Sequence, residues 1–234
     1  MYIIRRIFRW ISFAIIFFLV SSVSAVVVLK WLPVYYTPLM FIRVVEQVAD
    51  GRKPKIEHEW VSIDRISENM PLAVVSSEDA RFLKHNGFDF EEIYKARLQA
   101  LRGGKEWGAS TISQQTAKNV FLWPGHSWVR KGFEAYFTVL IEFIWGKERI
   151  MEVYLNSVEM GDGIYGVKAV SRLNFDKNPD QLTRRGSPHS RHTPQPPHTR
   201  LQKSVRRTPT PPQPHRPRNE IHQTRPLRHP HRID

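Results

Sequence analysis

Residues 108–122 read Gly108-Ala109-Ser110-Thr111-Ile112-Ser113-Gln114-Gln115-Thr116-Ala117-Lys118-Asn119-Val120-Phe121-Leu122. The run Thr111–Leu122 predicts a helix. Thr111, Gln115 and Lys118 fall at i, i+4 and i+7, which places a hydroxyl, an amide and an ammonium along one face. Such a row suits recognition of a polyanion or a sugar. An ordinary amphipathic helix with a wet face gives the same periodicity, and two adjacent glutamines near a lysine are what set this one apart.

The flanking sequence is helical on both sides. Leu72, Val75 and Ala80 suit a helix begun near Pro71, a favoured first-turn position. Ile93, Ala96, Ala100 and Leu101 give another, ended by Gly103-Gly104. Phe133–Trp145 is a third flanking helix. Lys147–Leu155 is a fourth, with Ile150, Val153 and Tyr154 at helical spacing. Runs of alternating polarity are few, so the body is mainly α. The glycines of Gly161-Asp162-Gly163-Ile164-Tyr165-Gly166 mark a turn or a close backbone approach. Their spacing fits neither a dinucleotide fingerprint nor a P-loop, and no metal-ligand spacing occurs.

Toward the amino terminus, Trp10 to Leu29 carries no charged residue. At about 1.5 Å per residue this makes roughly 30 Å of helix, the thickness of a bilayer's hydrocarbon core. Arg5, Arg6 and Arg9 precede it, which orients the amino terminus to the cytoplasm. Val23-Ser24-Ala25 resembles a signal-peptide cleavage site, but the apolar run exceeds an h-region of about 7–15 residues. A retained anchor is the better reading. The chain then divides into a cytoplasmic basic stub (1–9), a transmembrane anchor (10–30) and a juxtamembrane apolar arm and linker (31–62). The main domain spans 63–183, and a Pro/His/Arg-rich tail spans 184–234. Pro33 and Pro38 argue against a second spanning helix in the arm. It either lies against lipid or packs on the domain.

The formal charge of +13 is concentrated in the tail. Residues 184–234 hold twelve Lys and Arg against two acids, with eleven prolines and seven histidines. That composition cannot bury enough apolar surface to offset its ordering entropy, so the tail is expected to be disordered. The change near Thr183 is abrupt enough to suggest a message read in the wrong frame, which the coding DNA in its other two frames would test. A membrane-tethered binder of polyanions acting through this tail is the non-enzymatic alternative. There is no cysteine among the 234 residues, so disulfides and thiolate metal sites are excluded.

Two further segments carry candidate chemistry. In Ser77-Glu78-Asp79-Ala80-Arg81-Phe82-Leu83-Lys84-His85-Asn86-Gly87-Phe88-Asp89, Glu78 follows the apolar run Leu72–Val75. A carboxylate at the edge of an apolar wall is suited to proton transfer, although adjacent acids are also common at solvated helix ends. Arg130, Lys131 and Glu134 form the other. Arg130 and Glu134 either make a surface salt bridge worth about 0.2–0.5 kcal/mol, or Glu134 is a second carboxylate opposite Glu78 with the two cations facing a phosphate.

Taken in order, these segments resemble the five motifs of glycosyltransferase family 51, the peptidoglycan polymerases. The match is closest to the monofunctional biosynthetic transglycosylases. The carriers are Glu78-Asp79, Phe82, His85, Gly87 and Asp89; then Gly108-Ala109-Ser110-Thr111, Gln114-Gln115 and Lys118-Asn119; then Arg130-Lys131 and Glu134. Arg149-Ile150, Glu152 and Tyr154-Leu155-Asn156, followed by Gly163, Gly166 and Ala169, complete the set. The resemblance implies a lysozyme-like α fold on the outer face of a bacterial inner membrane. It implies lipid II and the growing glycan strand as substrates, other cell-wall synthesis proteins as partners, and no nucleic acid. It makes Glu78 and Glu134 catalytic, with Glu78 as the general base. Asp79, Phe82, His85, Thr111, Gln114, Gln115, Lys118, Asn119, Arg130 and Lys131 become substrate-binding. It calls for no cofactor and leaves room for a divalent cation at the pyrophosphate.

The sequence departs from that pattern in three places. His126 stands before Ser127-Trp128 where the family usually has arginine, and an imidazole holds phosphate less firmly than a bidentate guanidinium. Asn174-Phe175 replaces a usual Tyr-Phe. After Thr183 the family continues with apolar helices, so a truncated or frameshifted copy would expose apolar helix faces and could be inactive. A lysozyme-type hydrolase also uses carboxylates on a helical fold, but it has no pyrophosphate to bind and leaves the cations unexplained.

Overall fold

The computed structural model describes residues 2–103 and 108–182. The expected disorder of 184–234 and the role of Gly104 as a helix end lie outside the described residues. Eight α-helices and a small sheet make up the described part, as the helical periodicity implies.

The chain opens with α1 (Tyr2–Leu29), of which only Ser22 and Val26 are buried. It is the one described helix long and apolar enough to cross a membrane. The arm that follows is resolved in favour of packing over part of its length. Thr37 caps α2 (Pro38–Ala49), with Pro38 at its first position, where the missing N–H has no intrahelical partner to lose. Gln47 of α2 is buried, and its amide donates to Asp162 (3.1 Å) and accepts from the Lys55 N–H (2.8 Å). The opposite face of α2 leaves Phe41, Val45 and Val48 exposed.

The core is assembled around α5 (Ile112–Phe121), which packs on α6 (Trp128–Ile144) and α7 (Lys147–Ser157), with α2 against its other side. Ile112, Ala117, Ile141, Ile150, Val153, Tyr154 and Leu155 are fully buried there. The rings of Phe121 and Phe137 stack at 4.5 Å between centroids. Two more helices, α3 (Asn69–Glu78) and α4 (Phe90–Leu101), precede this core, and α8 (Gly166–Phe175) closes it. Of the large apolar side chains on α8, only Leu173 is exposed. On α6, Val139 and Phe143 are exposed as well.

The sequence pattern did not disclose a three-stranded sheet, in the order β1 (Glu57–His58), β3 (Ile164–Tyr165), β2 (Glu159–Gly161). Strands this short carry no readable alternation. The glycines here serve as expected. Gly163 turns the β2–β3 hairpin at φ +67°, and a Cβ there would stand 2.3 Å from the Lys55 carbonyl. Beside the sheet, the Asn156 carboxamide binds both polar groups of Val61, accepting from its N–H and donating to its C=O at 2.9 Å each.

Candidate active site

The site is organised by the amino end of α5. Thr111 caps the helix by accepting from the Gln114 N–H, and the Gln114 side chain accepts from the Thr111 N–H, a reciprocal box that satisfies two end donors. Asp79 accepts from the Ile112 N–H at 3.1 Å, which puts a carboxylate against the positive end of the helix dipole. The His85 ring nitrogen Nε2 donates to Asp79 at 3.0 Å. The Thr111 hydroxyl donates to the Gly87 carbonyl at 2.6 Å. These bonds fix the segment that follows Glu78 against the amino end of α5.

Glu78 is the last residue of α3. Its Oε2 accepts from Gln115 at 3.3 Å, while its Oε1 is buried with no protein partner. The Gln115 carbonyl oxygen in turn accepts from the Tyr154 hydroxyl at 3.3 Å. Burial and the Glu78 charge push the Tyr154 hydroxyl well above the usual phenol range, so it stays a proton donor. A cavity of about 300 Å³ opens onto Glu78, walled by Arg81, Lys95, Gln99, Ser110 and Thr111 among others.

One turn further along α5 lies a second cluster. Glu134 is buried and paired with Arg130 at 2.6 Å and with Lys131. Arg130 is buried as well, its N–H capped by Ser127 at 3.1 Å. Lys118 is held below the ordinary lysine value, chiefly by burial. Glu134 opposes that lowering, while the positive charges of Arg130, Lys131 and Arg43 add to it. Lys118, Arg130 and Lys131 thus gather around Glu134, while Arg43 is paired with Glu46 at 2.7 Å and with Glu159 at 3.5 Å.

The structure revises several expectations. Phe82, Thr111, Gln114 and Asn119 are buried, and Thr111 serves as a helix cap, so it does not share a wet face with Gln115 and Lys118. Asp79 is bonded to His85 and to the helix end, while the Nδ1 of His85 is buried without a protein partner. Asp79 and Thr111 nonetheless line the cavity at Glu78, whereas Phe82, His85, Gln114 and Asn119 do not. Both Glu134 carboxylate oxygens are engaged, one by Arg130 and the other by Lys131. The cavity at Glu78 is not walled by the second cluster, and α5 links the two, with Gln115 and Lys118 three residues apart, about 4.5 Å of helix rise. The residues not foreseen are Tyr154, which the sequence offers as part of an apolar stripe, and Arg43, whose nearness to Lys118 across the fold leaves no local trace.

Asp79, His85 and Asp89 bring three potential metal-ligand atoms within 4.8 Å of one another. Asp79 and His85 are bonded to each other, however, and Asp89 pairs with Arg81 at 3.2 Å while capping α4. A guanidinium that close opposes a cation, so the trio is built for structure.

A helical domain on an apolar anchor, with one partly unpartnered carboxylate a helical turn from a group of cations, is the arrangement of a glycosyl-transferring enzyme. Residues 44–206 match the transglycosylase family, and the chain belongs to it. The matched segment extends past Thr183. A biosynthetic peptidoglycan transglycosylase of Bacteroides thetaiotaomicron is 57% identical over 180 residues, covering 77% of this chain and 73% of that protein. Proteins of the same name from Bdellovibrio bacteriovorus and Caulobacter vibrioides are each 50% identical, over 74% and 77% of this chain and 70% and 76% of their own lengths.

Proposed function

We propose that the protein polymerises lipid II into glycan strands at the outer face of a bacterial inner membrane, with release of polyprenyl pyrophosphate. The observation that carries this reading is Glu78, a carboxylate that lines the cavity and takes a side-chain hydrogen bond from Gln115, one turn of α5 from Lys118. A sugar hydroxyl placed in the cavity against the Glu78 carboxylate gives up its proton to it as the hydroxyl oxygen attacks the anomeric carbon of the lipid-linked donor. The configuration inverts, and the bond to the diphosphate breaks. Charge accumulates on the departing group, where fixed cations already in place stabilise it without reorganising. Lys118, Arg130 and Lys131 are those cations. Glu134 holds the last two in position, and its negative charge keeps the cluster from repelling itself apart. Gln115, gripped by Tyr154, orients Glu78.

The transmembrane helix α1 keeps this cleft beside the bilayer that contains both substrates, so their encounter becomes a lateral search. The reaction as derived draws only on side chains of this chain. The test is polymerisation of labelled lipid II by detergent-solubilised protein, wild type beside Glu78→Gln. Loss of a general base lowers the rate by about 10²–10⁴-fold. An unchanged rate, or release of fragments from finished cell wall in place of polymer, would refute the proposal.

A further inference from the structure

The end of the membrane helix is satisfied by the catalytic domain. The last four carbonyls of a helix lack intrahelical partners. In α1, local turns take up two of them. The Lys30 N–H donates to Val27 at 3.2 Å, and the N–H groups of Trp31 and Leu32 donate to Val28 at 3.3 Å. The other two are filled from far along the chain. The Trp145 indole N–H donates to the Val26 carbonyl at 2.7 Å, and the Arg149 guanidinium donates to the Leu29 carbonyl at 2.8 Å and to that of Leu32. Arg149 is itself fixed by an ion pair with Glu152 and by lying 5.1 Å over the Trp60 ring. Its charge also complements the negative end of the helix dipole.

The contact continues back along the anchor. The hydroxyls of Ser22 and Tyr136 are 2.8 Å apart, and Phe18 packs against Phe133, Tyr136 and Phe137. Trp145 also lies 6.0 Å from Phe121 at the far end of α5. Only two side chains therefore separate the anchor from the helix that carries Gln115 and Lys118. A tether would need none of these bonds.

We propose that Arg149, assisted by Trp145, is a positioning residue that clamps the exit of the membrane helix to the domain, so that the cleft meets the bilayer at one fixed tilt and height. The proposal deepens the lipid II reading and rests on it for its consequence, though not for the clamp itself. The chain has no cysteine, so nitroxide labels at Val20→Cys and Arg65→Cys report one distance between anchor and domain. In vesicles of phosphatidylethanolamine and phosphatidylglycerol, the otherwise unaltered chain gives a single narrow distance distribution. Arg149→Ala broadens it. So does Trp145→Phe, which keeps the ring packing and loses only the N–H, and serves as the variant whose folding is secure. Arg149→Lys, a point charge in place of a planar fork, falls between. A broad distribution without these substitutions, or one as narrow in both Arg149→Ala and Trp145→Phe, overturns the clamp. In the polymerisation assay Arg149→Ala loses about tenfold in vesicles and less than about twofold in detergent. Equal losses in both media overturn the positioning role. Because the distance measurement needs no turnover, a protein that broadens as expected but never polymerises would sink the functional reading and leave the clamp standing.

Discussion

Helices α4 and α5 both border Glu78, α4 through the cavity it lines and α5 through the Gln115 hydrogen bond, and they differ in almost every physical respect. Seven of the ten residues of α5 are buried, whereas none of the twelve in α4 is. The amino end of α5 is closed by Thr111, Gln114 and Asp79, and its length is enclosed by α6, α7 and α2. In α4, Asp89 caps the first turn and Arg81 ties the cap to Glu91, but Phe90, Tyr94 and Leu101 face outward. The groups assigned to chemistry in the proposed reaction sit on or against the first helix, and the second supplies one wall of the cavity through Glu92, Lys95, Ala96 and Gln99. Groups that must stabilise developing charge are best held where surrounding packing prevents them from moving. A wall past which a polymer passes has no such need, and weakly packed elements open at low free-energy cost.

The contrast is broken most sharply by truncation. Ile112→Ala, at a fully buried position of α5, lowers stability by about 2–5 kcal/mol, whereas Leu101→Ala on α4 stays within about 0.5 kcal/mol. Paired denaturant titrations check this, and comparable losses at the two sites would erase the distinction. A smaller effect sharpens it through pH. Lys118 releases its proton at lower pH than a free lysine because α5 buries it. Between its folded and unfolded values the unfolded chain binds more protons, so this group's contribution to stability rises with pH in that window. The charge that the proposed reaction needs is lost as pH rises through the folded value, at the low end of that window. The alkaline limb of the pH–rate profile therefore moves upward in Lys118→Arg, and an unmoved limb would remove Lys118 from the anion site. The smallest effect belongs to the exposed loop that follows α5. His126→Arg adds a fixed cation near Ser127 and raises turnover by about two- to fivefold, the equivalent of ~0.5–1 kcal/mol for an exposed charge pair. Equal or lower turnover would count against a phosphate role there.

Much of this was readable before any coordinates, and the exceptions have physical causes. The helices at 112–121 and 147–157 follow from the sequence pattern, whereas the one expected from Phe133 begins five residues earlier at Trp128, where Ser127 caps it, and Glu78 stands out as a carboxylate after an apolar run. The helix at 90–101 also follows from spacing, but burial of its stripe does not. Ile93 and Leu101 repeat at the right interval and still face outward, because periodicity shows which side is apolar and not whether anything covers it. Thr111, Gln115 and Lys118 share a helical face on paper. The capping box draws Thr111 out of that row, since a cap residue has left the helical backbone conformation. The pairing of Arg149 with the anchor joins residues 120 positions apart, and no local pattern encodes it.

The Asn156 carboxamide, which meets both the N–H and the C=O of Val61, behaves as a one-residue forgery of a neighbouring strand. It offers an acceptor and a donor in one plane, at the spacing a peptide group would present. Aspartate has no donor to offer in its ionised form, leucine has neither group, and glutamine carries the same amide one methylene too far out. The fold thereby dispenses with a whole extended segment at this edge, at the cost of leaving that position almost no freedom to vary.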